Sequence, residues 1–85
     1  MKPTCREAVL AAFGRLENRH HRKEFELTEI VNEVFAVTNE FKDLTIRTHI
    51  TSRMCIQAPT NHATKFDDLD RIDVGKYRRR IWASN

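Results

Sequence analysis

Between Asp43 and Ala58 the chain reads DLTIRTHITSRMCIQA, and no other stretch narrows the choice of fold as far. At about 100° per residue, Ile46, Ile50 and Met54 line up at steps of four, with Ile56 and Gln57 near the same side. That spacing predicts a helix with one buried stripe rather than a strand. The opposite side gathers Thr48, Thr51, Ser52 and Cys55, with Thr45 at the start and Arg47 on the flank. An ordinary solvated helix face carries Glu and Lys at i,i+4 spacing. Here no acidic residue occurs from Leu44 to Lys65. Threonine is a weak helix former, so its repetition points to a role other than propensity. Short hydroxyls beside an arginine donate hydrogen bonds to phosphate oxygens or base edges at close range. The face is a candidate surface for a polyanion, and its plain alternative is an exposed helix side.

The charge distribution leans the same way. Before Thr45 there are seven Lys/Arg against eight Asp/Glu, and from Thr45 onward eight against four, so the excess that makes the chain +3 lies in its second half. A basic half of this kind fits a nucleic-acid-facing surface. The 85 residues suffice for one domain with one small core, and two Gly and two Pro argue against a disordered chain. Cys5 and Cys55 lack any CxxC neighbour. With four His they do not make the clustered soft-ligand set of a zinc site, and two lone thiols fit a reducing compartment. No apolar run approaches the roughly 18–20 residues of a membrane span, and no signal-type segment follows Met1. The expectation is a cytoplasmic, nucleoid-associated chain without membrane contact, cofactor or metal. A homodimer and membership of a larger parent protein both stay open.

Three further segments read clearly. Thr4-x-x-Glu7 after Pro3 is a capping box, and Val9, Leu10, Phe13 and Leu16 give the helix it opens an apolar stripe, predicted over about 4–17. Gly14 inside that stripe points to close packing against a neighbour. Asn18 to Glu26 reads as a polar linker whose His20, His21, Arg22 and Lys23 form either a solvated loop or a phosphate contact. Phe25 and Leu27 at period two indicate a short strand leading into Thr28, read as the cap of a second helix over about 28–37. Ile30, Val31, Val34 and Phe35 are expected inward on it, with Glu29 and Glu33 outward. After a turn of Thr38 to Asp43 comes the third helix, over about 45–57, for which Thr45 is a candidate cap.

Beyond Pro59 the helical pattern stops. Phe66 to Ile72 is extended, Asp73-Val74-Gly75 supplies a turn, and Lys76 to Trp82 returns, giving a hairpin over about 66–82. Tyr77 and Ile81 share one face; Lys76, Arg78 and Arg80 share the other. Arg79 falls where that alternation asks for an apolar residue. Lys76, Arg78, Arg79 and Arg80 put four bases into five positions, where they neutralise phosphates or guard an edge strand. Asp67, Asp68, Asp70 and Asp73 on the incoming strand are expected to pair with them across the hairpin. Their spacing does not match a calcium loop.

The order helix, short strand, helix, turn, helix, hairpin resembles the winged helix-turn-helix fold from Thr4 to Trp82: an α+β domain of three helices with a C-terminal β-hairpin wing. More narrowly, Thr45-Ile-Arg-Thr-His-Ile-Thr-Ser-Arg-Met-Cys55, with Ala58-Pro59, Asn61-His62 and Arg71-Ile72 to Gly75-Lys76-Tyr77-Arg78, resembles small prokaryotic modules found alone or beside restriction-type nuclease domains. The resemblance implies duplex DNA binding, with the third helix in the major groove and the wing on the backbone or minor groove. The DNA-contacting residues expected are Lys42, Thr45, Arg47, Thr48, Thr51, Ser52, Asn61, His62, Lys76, Arg78 and Arg80. Arg47 is the best placed to read a guanine or clamp a phosphate. Arg53, near the inner face, is expected in an ion pair with a Glu of helix 2, and His49 is expected to pack. The role implied is transcription regulation or recognition within a DNA-processing system. The alternatives are a reader of modified bases in a restriction system and a winged helix used for protein–protein interaction. No acid–base pair stands out, so catalysis is not expected.

Overall fold

Thr4 opens the first helix by the reciprocal cap read from its sequence. Its hydroxyl accepts from the Glu7 N–H at 3.2 Å, and its own N–H donates to Glu7 Oε1 at 2.8 Å. The computed structural model describes residues 3–55, 66 and 68–80. Helix α1 (Cys5–His20) runs three residues beyond the expected end, to a left-handed His21 (φ 54°) whose N–H donates to the Glu17 carbonyl. Asn18, Arg19 and His20 therefore belong to the helix and not to a linker, with Arg19 and His20 as cations at its negative end. An alanine Cβ at Gly14 would meet open space, so close packing does not explain that glycine.

Strand β1 (Glu24–Glu26) buries Phe25 alone and runs straight into α2 (Leu27–Phe35). The cap is Glu26 rather than Thr28, which lies inside the helix and is exposed. The Glu26 N–H donates to Glu29 Oε1 at 2.9 Å, and Glu29 also accepts from Arg22 at 2.7 Å. Ile30, Val31 and Val34 point inward as expected, but the two flanks of that stripe are exchanged. Phe35, expected inside, is 39 % exposed, whereas Glu33, expected outside, is 7 % exposed. The cause is α1, whose Arg15 and Arg19 both close over the Glu33 carboxylate at 2.8–3.0 Å.

Those two arginines set the titration of Glu33. The Arg19 hydrogen bond lowers its pKa, burial opposes, and Arg15 adds to the lowering. Folding thus depresses the pKa below the ordinary glutamate value of about 4.3. The unfolded chain binds more protons in acid, so this contribution is complete above that value and is lost as pH falls through the lower folded value. Glu33→Gln is expected to cost about 1 kcal/mol at neutral pH, discounted because the arginines are partly exposed. It should also flatten the fall of Tm below about pH 4.5. A Tm–pH profile superimposable on that of the parent chain would refute this role.

The third helical segment begins at Asp43, two residues earlier than expected, with Lys42 as its cap. Thr45 is thus an exposed residue of the first turn and not the cap. Helix α3 (Asp43–Thr48) continues without a break into a wider π-helical stretch (His49–Met54). There the Thr51 hydroxyl donates to the Arg47 carbonyl at 2.9 Å, competing for the acceptor that an α-helical Thr51 N–H would use. The helix ends at Met54, and Cys55 turns extended (φ −82°, ψ 127°) to form a parallel bridge with Leu69. Cys55, expected on the outer face, is consequently buried, and burial also raises the thiol pKa of Cys5. The expected helix beyond Cys55 lies outside the described residues.

Strands β2 (Leu69–Asp73) and β3 (Lys76–Arg79) form the hairpin, turning through Val74 and a left-handed Gly75 (φ 69°). The register skips one residue between Arg71 and Asp73, a bulge that lets Asp73 oppose Lys76. β1 joins antiparallel on the other side of β3, giving the sheet order β1-β3-β2. Among the described residues the architecture is thus a small α+β fold of three helices and a three-stranded antiparallel sheet. One core unites Val9, Phe13, Leu16, Phe25, Ile30, Val34, Ile46, Ile50, Met54, Leu69 and Tyr77. Arg79 does break the apolar alternation, and Glu17 of α1 resolves it by accepting two hydrogen bonds from its guanidinium at 2.6 and 3.0 Å.

Candidate nucleic-acid interface

Because Ile46, Ile50 and Met54 are buried, the stripe fixes which side of the third helix faces out. Lys42, Thr45 and Thr48 are exposed, while Arg47, Thr51 and Ser52 are half-buried. The structure therefore brings six of the expected contact residues onto one connected helical segment. A shallow groove along it is lined by Leu44, Thr45, Thr48, His49 and Arg53, and Leu44 itself is 75 % exposed. His49, expected to pack, is half-buried and lies in the wall of that groove. Arg53 does not pair with a helix-2 glutamate: Glu33 is held by α1, and Glu29 by Arg22. Its carbonyl instead accepts from the Phe66 N–H, which with the Cys55–Leu69 bridge ties the end of the helix to the start of β2.

Arg47 is not the lone cation that the acid-free run indicates. Asp43, one residue before that run, accepts from Arg47 Nε at 2.6 Å. The signal for this pair was present in the sequence as Asp and Arg at i,i+4 spacing.

The hairpin is likewise more neutral than a count of its bases implies. Residues directly opposite in an antiparallel sheet share a face. One row across the outer face reads Glu24, Arg78, Asp70, and the next reads Glu26, Lys76, Asp73. Lys76 and Arg78 of the middle strand each sit opposite carboxylates of both neighbours. Arg78 Nε lies 3.9 Å from Asp70, so the expected cross-hairpin pairing is present at that position. Asp68 turns the other way and takes two hydrogen bonds from Arg6 of α1 at 2.8 and 2.9 Å. Asp73 bonds the Val74 N–H at 2.7 Å within the turn. Arg80 is half-buried just after β3, its N–H donating to the Asp68 carbonyl. A polar cleft at this end of the sheet brings Lys23 together with Asp70, Arg78, Arg79 and Arg80. Sequence reasoning left Lys23 between a loop and a phosphate contact, since only the β1–β3 pairing places it there. Arg22 lies against the strand that follows it, donating to Glu24 O and lying 4.6 Å over the Phe25 ring. Asn61 and His62 lie outside the described residues.

Among the described residues no group of His, Cys, Asp or Glu is placed to hold a metal ion, and no helix is long and apolar enough to cross a membrane. No family model matches the chain, and no curated protein or solved structure matches it either.

Proposed function

We propose that this chain is a winged-helix module that binds duplex DNA, laying the exposed side of Asp43–Met54 in the major groove and the 69–79 hairpin along the adjacent backbone. One observation carries the reading. The helical segment that exposes Thr45, Thr48 and Lys42 shows no carboxylate after Asp43, and its far end is bonded directly to the hairpin. The element order and the β1-β3-β2 sheet are compatible with this fold class, in which the hairpin serves as the wing. The module acts by binding rather than catalysis, as a transcription regulator or as the recognition part of a DNA-processing system.

The test is fluorescence anisotropy of a labelled random duplex titrated with the chain between 50 and 300 mM salt. About five phosphate contacts give a log–log slope near −4 to −5. Exposed Leu44 in the middle of the same face favours a second reading, a protein partner docked on the helix. Absence of duplex binding at 50 mM salt would remove the DNA reading in favour of that one.

A further inference from the structure

Arg47 is bonded through both its backbone and its side chain. Its carbonyl accepts from the Thr51 hydroxyl at 2.9 Å, and its Nε donates to Asp43 Oδ1 at 2.6 Å. A guanidinium carries five N–H donors in a rigid planar fork. With Nε engaged by Asp43, the terminal pair Nη1 and Nη2 makes no hydrogen bond to any other described residue. That pair is the edge that matches two acceptors lying side by side. In the major groove the only base offering two adjacent acceptors, N7 and O6, is guanine, whereas adenine presents an acceptor beside a donor. A phosphate also matches this fork, but a contact to phosphate carries no base preference, so the guanine replacements below separate the two.

From the Asp43–Nε contact and the uncommitted terminal edge we infer that Asp43 is a positioning residue that holds Arg47 to read a guanine in duplex DNA, an inference that rests on the DNA-binding reading above. Asp43 works against general affinity, because it puts a carboxylate beside a polyanion. It works for discrimination, because an arginine already oriented loses less side-chain freedom on meeting the correct base. Its position in the first turn of α3 also favours the helix dipole, but that effect bears on stability equally for every duplex and leaves base preference untouched.

The experiment selects duplexes from a randomised pool with the full chain, then measures anisotropy Kd values for the selected site and for the same site with each guanine replaced by adenine. The parent chain is expected to prefer one guanine by about 5- to 150-fold. Arg47→Lys keeps the charge and is expected to erase most of that preference. Asp43→Asn is expected to bind random duplex as tightly as the parent chain or more so, while losing about fivefold or more of the guanine preference. Asp43→Ser, which keeps a hydroxyl acceptor for the first turn, replaces it should the Asn variant not fold. Full retention of the preference in the Asp43 variant overturns the inference, as does a parent chain that binds duplex with no guanine preference. A parent chain that binds no duplex at all instead overturns the reading on which it rests.

Discussion

Phe25→Ala is expected to cost about 3–5 kcal/mol, a large share of the roughly 5–15 kcal/mol that holds a domain together. Phe25 is the one buried residue of β1, and its ring meets Phe13 edge-on at 6.0 Å between centroids. Opposite it on β3 is Tyr77, whose hydroxyl pKa is raised by burial. The side chain is therefore the joint between α1 and the sheet, and truncation leaves a cavity that neither side can fill without moving. Arg22, whose guanidinium covers the ring at 4.6 Å, would lose its platform as well. Urea unfolding followed by far-UV circular dichroism measures the effect. A midpoint displaced by less than the equivalent of about 1 kcal/mol would mean the site collapses freely and that β1 contributes little.

Replacing Lys76, Arg78 and Arg80 together by Ala is expected to weaken binding to every duplex alike, by on the order of 10- to 100-fold at moderate salt, and to flatten the salt slope by about 2–3. Selectivity among duplexes should survive, because these side chains are assigned to the backbone and not to bases. The rows Glu24, Arg78, Asp70 and Glu26, Lys76, Asp73 add a counter-test. On the outer sheet face two cations stand opposite four carboxylates, so binding has to draw Arg78 away from Asp70 and bring a polyanion up to an acidic neighbourhood. Glu24→Gln with Glu26→Gln should therefore tighten duplex binding. Unchanged affinity in both multiple variants would exclude the hairpin from the interface and leave the helix as the sole contact.

Much of the architecture was legible because burial imposes a period on the sequence. The steps of four in Ile46, Ile50 and Met54, the Thr4 capping box and the Phe25 strand each state a local requirement. What was not legible depends on residues far apart in the chain. Glu33 reads as a solvated glutamate until Arg15 and Arg19, on another helix, are brought over it. Arg79 reads as an error of alternation until Glu17 is beneath it. Cys55 reads as outward when a 100° rotation is extended through a segment that winds more slowly and then stops. The candidate interface divides in the same way. Its hydroxyls and Arg47 follow from spacing alone, whereas the self-neutralised hairpin and the approach of Lys23 follow only from strand register. Asp43 is the exception, readable at four-residue spacing but standing one position outside the acid-free run.

The acid columns of the sheet bear on how copies of this molecule treat one another. β1 and β2 are the two outer strands, and an outer strand invites a neighbour to extend the ladder. Here each presents carboxylates, Glu24 and Glu26 on one border and Asp70 and Asp73 on the other. Two molecules aligning border to border would set like charges face to face. The beginning of β2 is shielded further by Cys55. The same side chains that dampen the hairpin's attraction for a polyanion thus discourage runaway stacking at high concentration.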